Sequence, residues 1–203
     1  MSVTDIALAT ITAEHRTLSA VLHTFRELTD KVAAGHATPA FDLLSALLYY
    51  IDDFQERCHH PKEEQFLFKA LSAATSDFDD VIRGLQADHV NSASAMAQLH
   101  RSLVHYQGGA VGGFDAFKAR VEAYDTQMFE HMRCEEQLFE RIRSVLGDQD
   151  WERIAAAFDE NDDPLFGNNR RDEFERLYQR IQVLAPSKLK QGVFPASHNL
   201  RRP

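Results

Sequence analysis

Apolar residues recur every three or four positions through four long stretches of the chain, which is the spacing of one face of an α-helix. The clearest stretch is the fourth, in which the apolar seam advances in alternating steps of four and three residues. It begins after Gly112-Gly113, and we expect it to end at Gly147, a residue suited to the position just past a helix. The seam consists of Phe117, Val121, Tyr124, Met128, His131, Glu135, Leu138, Ile142 and Val145.

The other three stretches predict helices of similar length. Gly35 is the expected end of the first, and Thr38-Pro39 supplies a cap and a proline at the first position of the second. The three helices are expected from about Thr4 to Ala34, from Thr38 to about Ala74, and from Ser76 or Asp77 to Gln107. Their core faces include His15, Leu18, Leu22, Phe25 and Leu28, then Leu44, Leu48, Ile51, His59 and Phe66, then Phe78, Val81, Leu85, His89, Met96, Leu99 and Leu103.

Short connections between long helices make successive helices antiparallel neighbours. The expected fold class is therefore all-α, an antiparallel up-down-up-down four-helix bundle with a short C-terminal helical extension. We expect residues 1–147 to form the bundle and residues 148–203 to pack on or near it. The extension is predicted to contain a helix from Asp150 to Asp159, a helix from about Arg171 to Leu184, and a basic tail from Pro186 to Pro203.

The most informative chemical feature is a repeat. Glu14-His15 is matched by Asp88-His89, and His59-x-x-x-Glu63 is matched by His131-x-x-x-Glu135. Residues four apart share a helix face, so each His-x-x-x-Glu pair can aim an imidazole and a carboxylate at one point. His131 and Glu135 belong to the apolar seam, where unpaired polar groups would cost several kcal/mol. Four imidazoles and two carboxylates converging from four helices therefore predict a site for two cations.

These residues resemble the hemerythrin-like, or HHE cation-binding, domain family over about residues 5–147. The pattern His15 … His59-x-x-x-Glu63 … His89 … His131-x-x-x-Glu135 corresponds to the family form H-HxxxE-H-HxxxE. The resemblance implies a non-haem centre of two iron ions with an oxo or hydroxo bridge. It also implies that the four histidines are terminal ligands and that the two glutamates bridge the irons. Zinc or manganese could substitute, since imidazole and carboxylate ligands suit those ions as well.

Two positions depart from the oxygen-carrying members of the family. Ala93 stands where those proteins have a fifth histidine, and Glu136 stands where they have an aspartate. We therefore expect an open coordination position at the metals and a protein that binds or senses O₂, NO or peroxide. Two alternatives remain open: a di-iron oxidoreductase with catalase-like, peroxidase-like or iron-handling activity, and a structural or partner-binding bundle that the metal only staples together.

Charge and composition narrow the range of partners. With 22 basic against 31 acidic residues and a net charge of −9, the chain lacks the basic footprint of a nucleic-acid or anionic-membrane binder. No apolar run reaches the length of a membrane span and no signal-peptide pattern is present, so a cytoplasmic protein is expected. Cys58 and Cys134 are too few for a disulfide framework. The expected partner is a small gaseous or peroxide ligand, and any protein partner is left open.

Five residues in or near the motif have other expected roles. His60 is expected to support a ligand or lie on the surface, and Pro61 is expected to kink the second helix within the motif. Glu14 and Asp88 are expected to be solvated or paired on the surface, with support of a ligand on a neighbouring helix as the alternative. Tyr124 is expected to pack in the core.

Overall fold

The computed structural model describes residues 1–159, and all of its regular structure in this range is helical. The all-α prediction is therefore confirmed. The predicted helix from Arg171 to Leu184 and the tail from Pro186 lie outside the described residues, and the division at residue 147 stays a prediction. The helices are α1 (Val3–Ala33), α2 (residues 41–74), α3 (Asp79–Gln107), α4 (Gly113–Ile142) and α5 (Asp148–Asp159).

Four predicted helix ends are wrong. The helix predicted from Asp150 begins at Asp148, and three other ends are displaced for a local reason. α2 begins at Phe41, because Ala40 has non-helical dihedral angles (φ −95°, ψ 76°) that separate the helix from Pro39. α3 begins at Asp79, after a turn in which the Asp79 N–H donates to the Ser76 carbonyl over 3.2 Å. α4 ends at Ile142, and Gly147 instead leads into α5, where its carbonyl accepts from the backbone of Asp150 and Trp151.

α2 is interrupted by two π-helical stretches, Phe54–His59 and Glu63–Phe68, on either side of a short α-helical segment around Pro61. Proline has no N–H to give to a helical hydrogen bond, and the wider turns change the rotation of the residues that follow. Phe66, which the pattern places on the core face, is consequently 38% exposed, whereas Leu67 and Phe68 are buried. The prediction for Phe66 is therefore wrong.

The four long helices form a closed ring of neighbours. α1 packs against α2 and α4, and α3 packs against the same two helices. α5 lies along α1 and also contacts α2. No helix in the described ranges is long and apolar enough to cross a membrane.

The core consists of two apolar clusters that are separated by the residues of the repeated motif. One cluster contains Leu22, Phe25, Leu48, Leu99 and Phe117, and the other contains Ile11, Leu71, Ile82, Ile142 and Trp151. On α1, α2 and α3, the buried apolar side chains before the motif histidine belong to one cluster and those after it to the other. On α4 the change comes after Met132, between the motif histidine and Leu138. A buried polar layer therefore divides the core in two.

Candidate metal centre

All six residues of the predicted ligand set meet in this layer, and all six are buried. α1 supplies His15, α2 supplies His59 and Glu63, α3 supplies His89, and α4 supplies His131 and Glu135. They form two overlapping groups that share both glutamates, and in each group the candidate ligand atoms lie within 4.8 Å of one another. The groups are His15, His59, Glu63 and Glu135, and Glu63, His89, His131 and Glu135.

Two pairs of ring nitrogens face each other across the site. His15 Nε2 lies 3.1 Å from His59 Nε2, and His89 Nε2 lies 3.2 Å from His131 Nε2. Two nitrogens bonded to one metal ion at about 2.1 Å, with an angle between a right angle and the tetrahedral value, are themselves about 3 to 3.4 Å apart. Both spacings therefore fit a pair of imidazoles that share one ion.

The carboxylates lie between the two imidazole pairs. Glu63 Oε1 is 3.2 Å from His59 Nε2, and Glu63 Oε2 is 3.5 Å from His89 Nε2. Glu135 approaches the other member of each pair, at 3.2 and 3.3 Å. Both side chains are 0% exposed, and none of the four oxygens forms a hydrogen bond of ordinary geometry with another described residue. Buried carboxylate oxygens that lack hydrogen bonds in this way fit a bridged pair of cations.

The electrostatics of the metal-free site favour charged imidazoles beside charged carboxylates. Burial by itself lowers the pKa of His15, but the carboxylates of Glu135 and Glu63 outweigh it and raise that pKa to about 9. Burial also lowers the pKa of His59 and of His89. Neighbouring carboxylates outweigh this effect, so both pKa values are raised. Burial raises the pKa of Glu63, but nearby imidazoles, His59 foremost, hold it well below the ordinary value. A cation that binds here displaces protons from the imidazoles.

Acidic residues next to the motif reach across to ligands on neighbouring helices. Glu14 is buried, and its Oε2 lies 2.7 Å from His59 Nδ1, while its Oε1 is 3.6 Å from Nζ of the buried Lys62. The expected surface position of Glu14 is therefore wrong, and the alternative role, support of a ligand on a neighbouring helix, is the one that the structure shows. Asp88, whose side chain is 44% exposed as expected, has a carboxylate oxygen 3.6 Å from His131 Nδ1. The repeat does contain a signal for this role, since an acidic residue precedes the histidine in both copies.

A further supporting residue was not identified from the sequence. Glu64 Oε1 lies 2.9 Å from His89 Nδ1. Because Glu63 points into the site, the next residue on a regular helix would face well away from it. Glu64 instead reaches His89 from the side of α2, where its side chain is 34% exposed, and the periodic pattern contains no sign of this contact.

His60 is buried, so its predicted role as a support is consistent with the structure and a surface position is not. Its ring stacks on that of His89, with centroids 3.9 Å apart and an interplanar angle of 13°. An imidazole binds a metal ion that lies in its own ring plane, and two stacked rings have different planes. In this orientation His60 therefore supports the ring of His89 and does not share its metal ion, although its nitrogen lies within 4.8 Å of those of His89 and His131.

Aromatic rings enclose the histidines. Phe139 stacks on His15, Phe54 on His59 and Phe68 on His89, with centroid distances between 5.6 and 5.9 Å. All three phenylalanines are buried. Apolar rings therefore cover three of the four ligand histidines and limit the access of bulk water to them.

One of three comparisons with known proteins found a match. A family model described as the hemerythrin HHE cation binding domain matches residues 7–142. Neither the search of curated proteins nor the search of solved structures gave a match.

Proposed function

The chain belongs to the hemerythrin HHE cation-binding domain family, and on this premise we propose that it is a di-iron protein that binds or senses O₂, NO or peroxide. Membership of the family implies a bound metal cation, typically iron. In the proposal, His15 and His59 hold one iron ion, His89 and His131 hold the other, and Glu63 and Glu135 bridge the two. Bound iron would supply a redox-active centre with an exchangeable position for a small ligand.

The observation that carries this proposal is the position of the two buried carboxylates. Each one approaches a histidine of both pairs, and its oxygens lack other partners among the described residues. A site for one ion would need only one imidazole pair. Two imidazole pairs that share both carboxylates therefore favour two ions.

The residues around the ligands set the orientation of the imidazoles and exclude water. When a cation has displaced the Nε2 proton of His59, Glu14 would accept a hydrogen bond from Nδ1–H and so direct the Nε2 lone pair into the site. Glu64 would do the same for His89. The phenylalanine rings limit the access of bulk water to the ligands and leave room for small ligands only.

The proposal includes the up-down-up-down order of the four helices. One apolar cluster joins Ile11, which precedes His15 on α1, to Leu71, which follows His59 on α2. The same cluster contains Ile82, which precedes the histidine of α3, and Ile142, which follows the histidine of α4. Alternating membership of this kind supports antiparallel neighbours.

Metal analysis and optical spectroscopy of the full chain, loaded with Fe²⁺ under anaerobic conditions, test the proposal. We expect about two iron ions per chain and a spectrum that changes on addition of O₂, NO or H₂O₂. His59→Ala should remove most of the metal, whereas His105→Ala, at an exposed position, should leave the metal content unchanged. Less than one iron ion per chain, or a loaded spectrum that no ligand alters, would overturn the proposal. Sustained oxygen release from H₂O₂ above that of free iron would favour the oxidoreductase alternative.

A further inference from the structure

A group of polar side chains lies inside the apolar core next to the metal centre. Tyr124 donates a hydrogen bond from its hydroxyl to Gln55 Oε1, and Gln55 Nε2 lies 3.4 Å from Met128 Sδ. Ser92 Oγ is 3.4 Å from the Tyr124 hydroxyl and 3.6 Å from the same sulfur. All four residues are buried. We call these four residues, from three helices, the Gln55 cluster.

The cluster lies about one helical turn from three of the candidate ligands. Gln55 precedes His59 by four residues, in the π-helical stretch that contains both. Ser92 and Met128 are each three residues from the histidine of their own helix, and residues at this spacing share a helix face. Because the cluster residues contact one another, the turns of α2, α3 and α4 that contain them lie at the same height along the helices. The Gln55 cluster therefore lies on the side of the metal centre that faces the apolar core around Leu22 and Phe25.

The internal repeat shows that the burial of Gln55 is specific to α2. Gln127 precedes His131 by four residues, just as Gln55 precedes His59. Gln127 lies on a regular α-helix and is partly exposed, whereas Gln55 is 0% exposed. The glutamine four residues before the motif histidine is therefore buried in the π-helical stretch of α2 and partly exposed on the regular helix α4.

Within the cluster, the amide N–H groups of Gln55 are strong donors, but the acceptor beside them, the sulfur of Met128, is weak. Tyr124 occupies the amide oxygen of Gln55, so the two N–H groups of the amide must find acceptors elsewhere. The acceptor found for the amide nitrogen is the thioether sulfur of Met128, which accepts hydrogen bonds poorly. A buried amide donor held in this way gains free energy when a better acceptor arrives.

We propose that the Gln55 amide donates a hydrogen bond to the small ligand taken up at the metal centre. This selects ligands that accept hydrogen bonds well, namely small anions and peroxide, over weak acceptors such as NO. The inference rests on the proposed function, because it requires a ligand-binding metal centre. Tyr124 is the positioning residue: its hydroxyl fixes which end of the amide carries the donors. Burial raises the pKa of Tyr124, so its phenol stays protonated and keeps donating.

Azide, a small anion that accepts hydrogen bonds, serves as the probe with the iron-loaded full chain. Gln55→Leu preserves the approximate volume of the side chain and removes its donors. We expect its dissociation constant for azide to rise about 10- to 100-fold, the effect of losing one hydrogen bond to a charged acceptor. Tyr124→Phe should raise it about threefold, because the amide loses its fixed orientation. The affinity of the reduced protein for NO should change less than the affinity for azide in both variants.

Two control variants separate hydrogen bonding from packing. Gln127→Leu makes the same change at the repeated position and should leave azide affinity unaltered. Met128→Leu alters the packing of the cluster but keeps the donors, and should leave azide affinity equal or higher.

The outcomes distinguish this inference from the proposed function. Unchanged azide affinity in both Gln55→Leu and Tyr124→Phe would overturn the inference alone, as would an equal loss in Met128→Leu, or an equal loss of azide and NO. If Gln55→Leu does not fold or load iron, Tyr124→Phe, which removes a single hydroxyl, decides. An unchanged chain that takes up no iron would overturn the proposed function and this inference with it.

Discussion

Replacing Glu14 by glutamine tests whether a residue outside the ligand motif determines how tightly the metal is held. The carboxylate of Glu14 lies 2.7 Å from Nδ1 of His59 in a buried position. The glutamine amide has nearly the same shape as this carboxylate, but it has no negative charge to hold the Nδ1 proton. Asp88→Asn is the matched control, because Asp88 occupies the corresponding place before His89 in the second copy of the repeat.

The expected effects differ because the two contacts differ. Loss of a carboxylate that orients a metal-binding histidine typically lowers metal affinity about 10- to 100-fold, or about 1.4 to 2.7 kcal/mol. We expect this loss for Glu14→Gln. The Asp88 carboxylate is 3.6 Å from His131 Nδ1 and its side chain is 44% exposed. Water screens such a contact, so Asp88→Asn should lower affinity less than about threefold.

A chelator competition titration with Zn²⁺ measures both affinities without redox chemistry. Urea unfolding of the metal-free variants provides a separate reading, because Glu14 also faces the buried Lys62 and its replacement costs stability there. For Glu14→Gln we expect the loss in free energy of metal binding to exceed any loss in the free energy of unfolding of the metal-free chain. Equal losses in the two variants, or no loss in Glu14→Gln, would refute it.

Three further predictions concern the bridge, the pH dependence and α5. Glu63→Gln or Glu135→Gln removes a charge shared by both imidazole pairs, so metal content should fall to about half or less in elemental analysis. The pKa of His15 is raised from 6.5 to about 9, so in the metal-free chain its contribution to the free energy of unfolding is complete below pH 6.5 and is lost as the pH rises through about 9. Urea titrations of the metal-free chain across this pH range measure the free energy of unfolding, and a rise in that free energy with pH would contradict the prediction. Trp151→Ala should destabilise the chain by about 3 to 5 kcal/mol in chemical denaturation, because Trp151 is buried where α5 packs.

The sequence was most reliable where the helical period stayed regular. On α4, every seam position from Phe117 to Ile142 is buried, because no residue interrupts the alternating spacing. Val145 is only partly buried, since α4 has already ended. On α2, the same reasoning failed at Phe66, which follows one π-helical stretch and lies inside the second. Pro61 indicated an irregularity, but a proline alone does not show how many residues the helix takes to absorb it.

The candidate ligands could be identified from the sequence because their spacing is fixed by the helix on which they lie. The residues that support them were harder to identify, because each one acts from a different helix. Glu14 on α1 contacts His59 on α2, and Glu64 on α2 contacts His89 on α3. A one-dimensional pattern contains no distance between helices. It therefore predicts which side chains share a face, and it leaves open which side chains of other helices they meet.

The repeat makes the two imidazole pairs equivalent in ligand type, but it does not make their surroundings equivalent. Pro61 has Arg133 as its counterpart, and only α2 contains π-helical stretches among the described helices. α5 packs along α1 and α2, where Phe158 lies beside the His59 ring and Lys62 is buried. The other pair is supported by carboxylates that reach the surface. The two halves therefore differ in burial and in local electrostatics although their ligands match. Any chemical difference between the two metal positions must then arise from the residues around the motif, since the motif itself is the same in both halves.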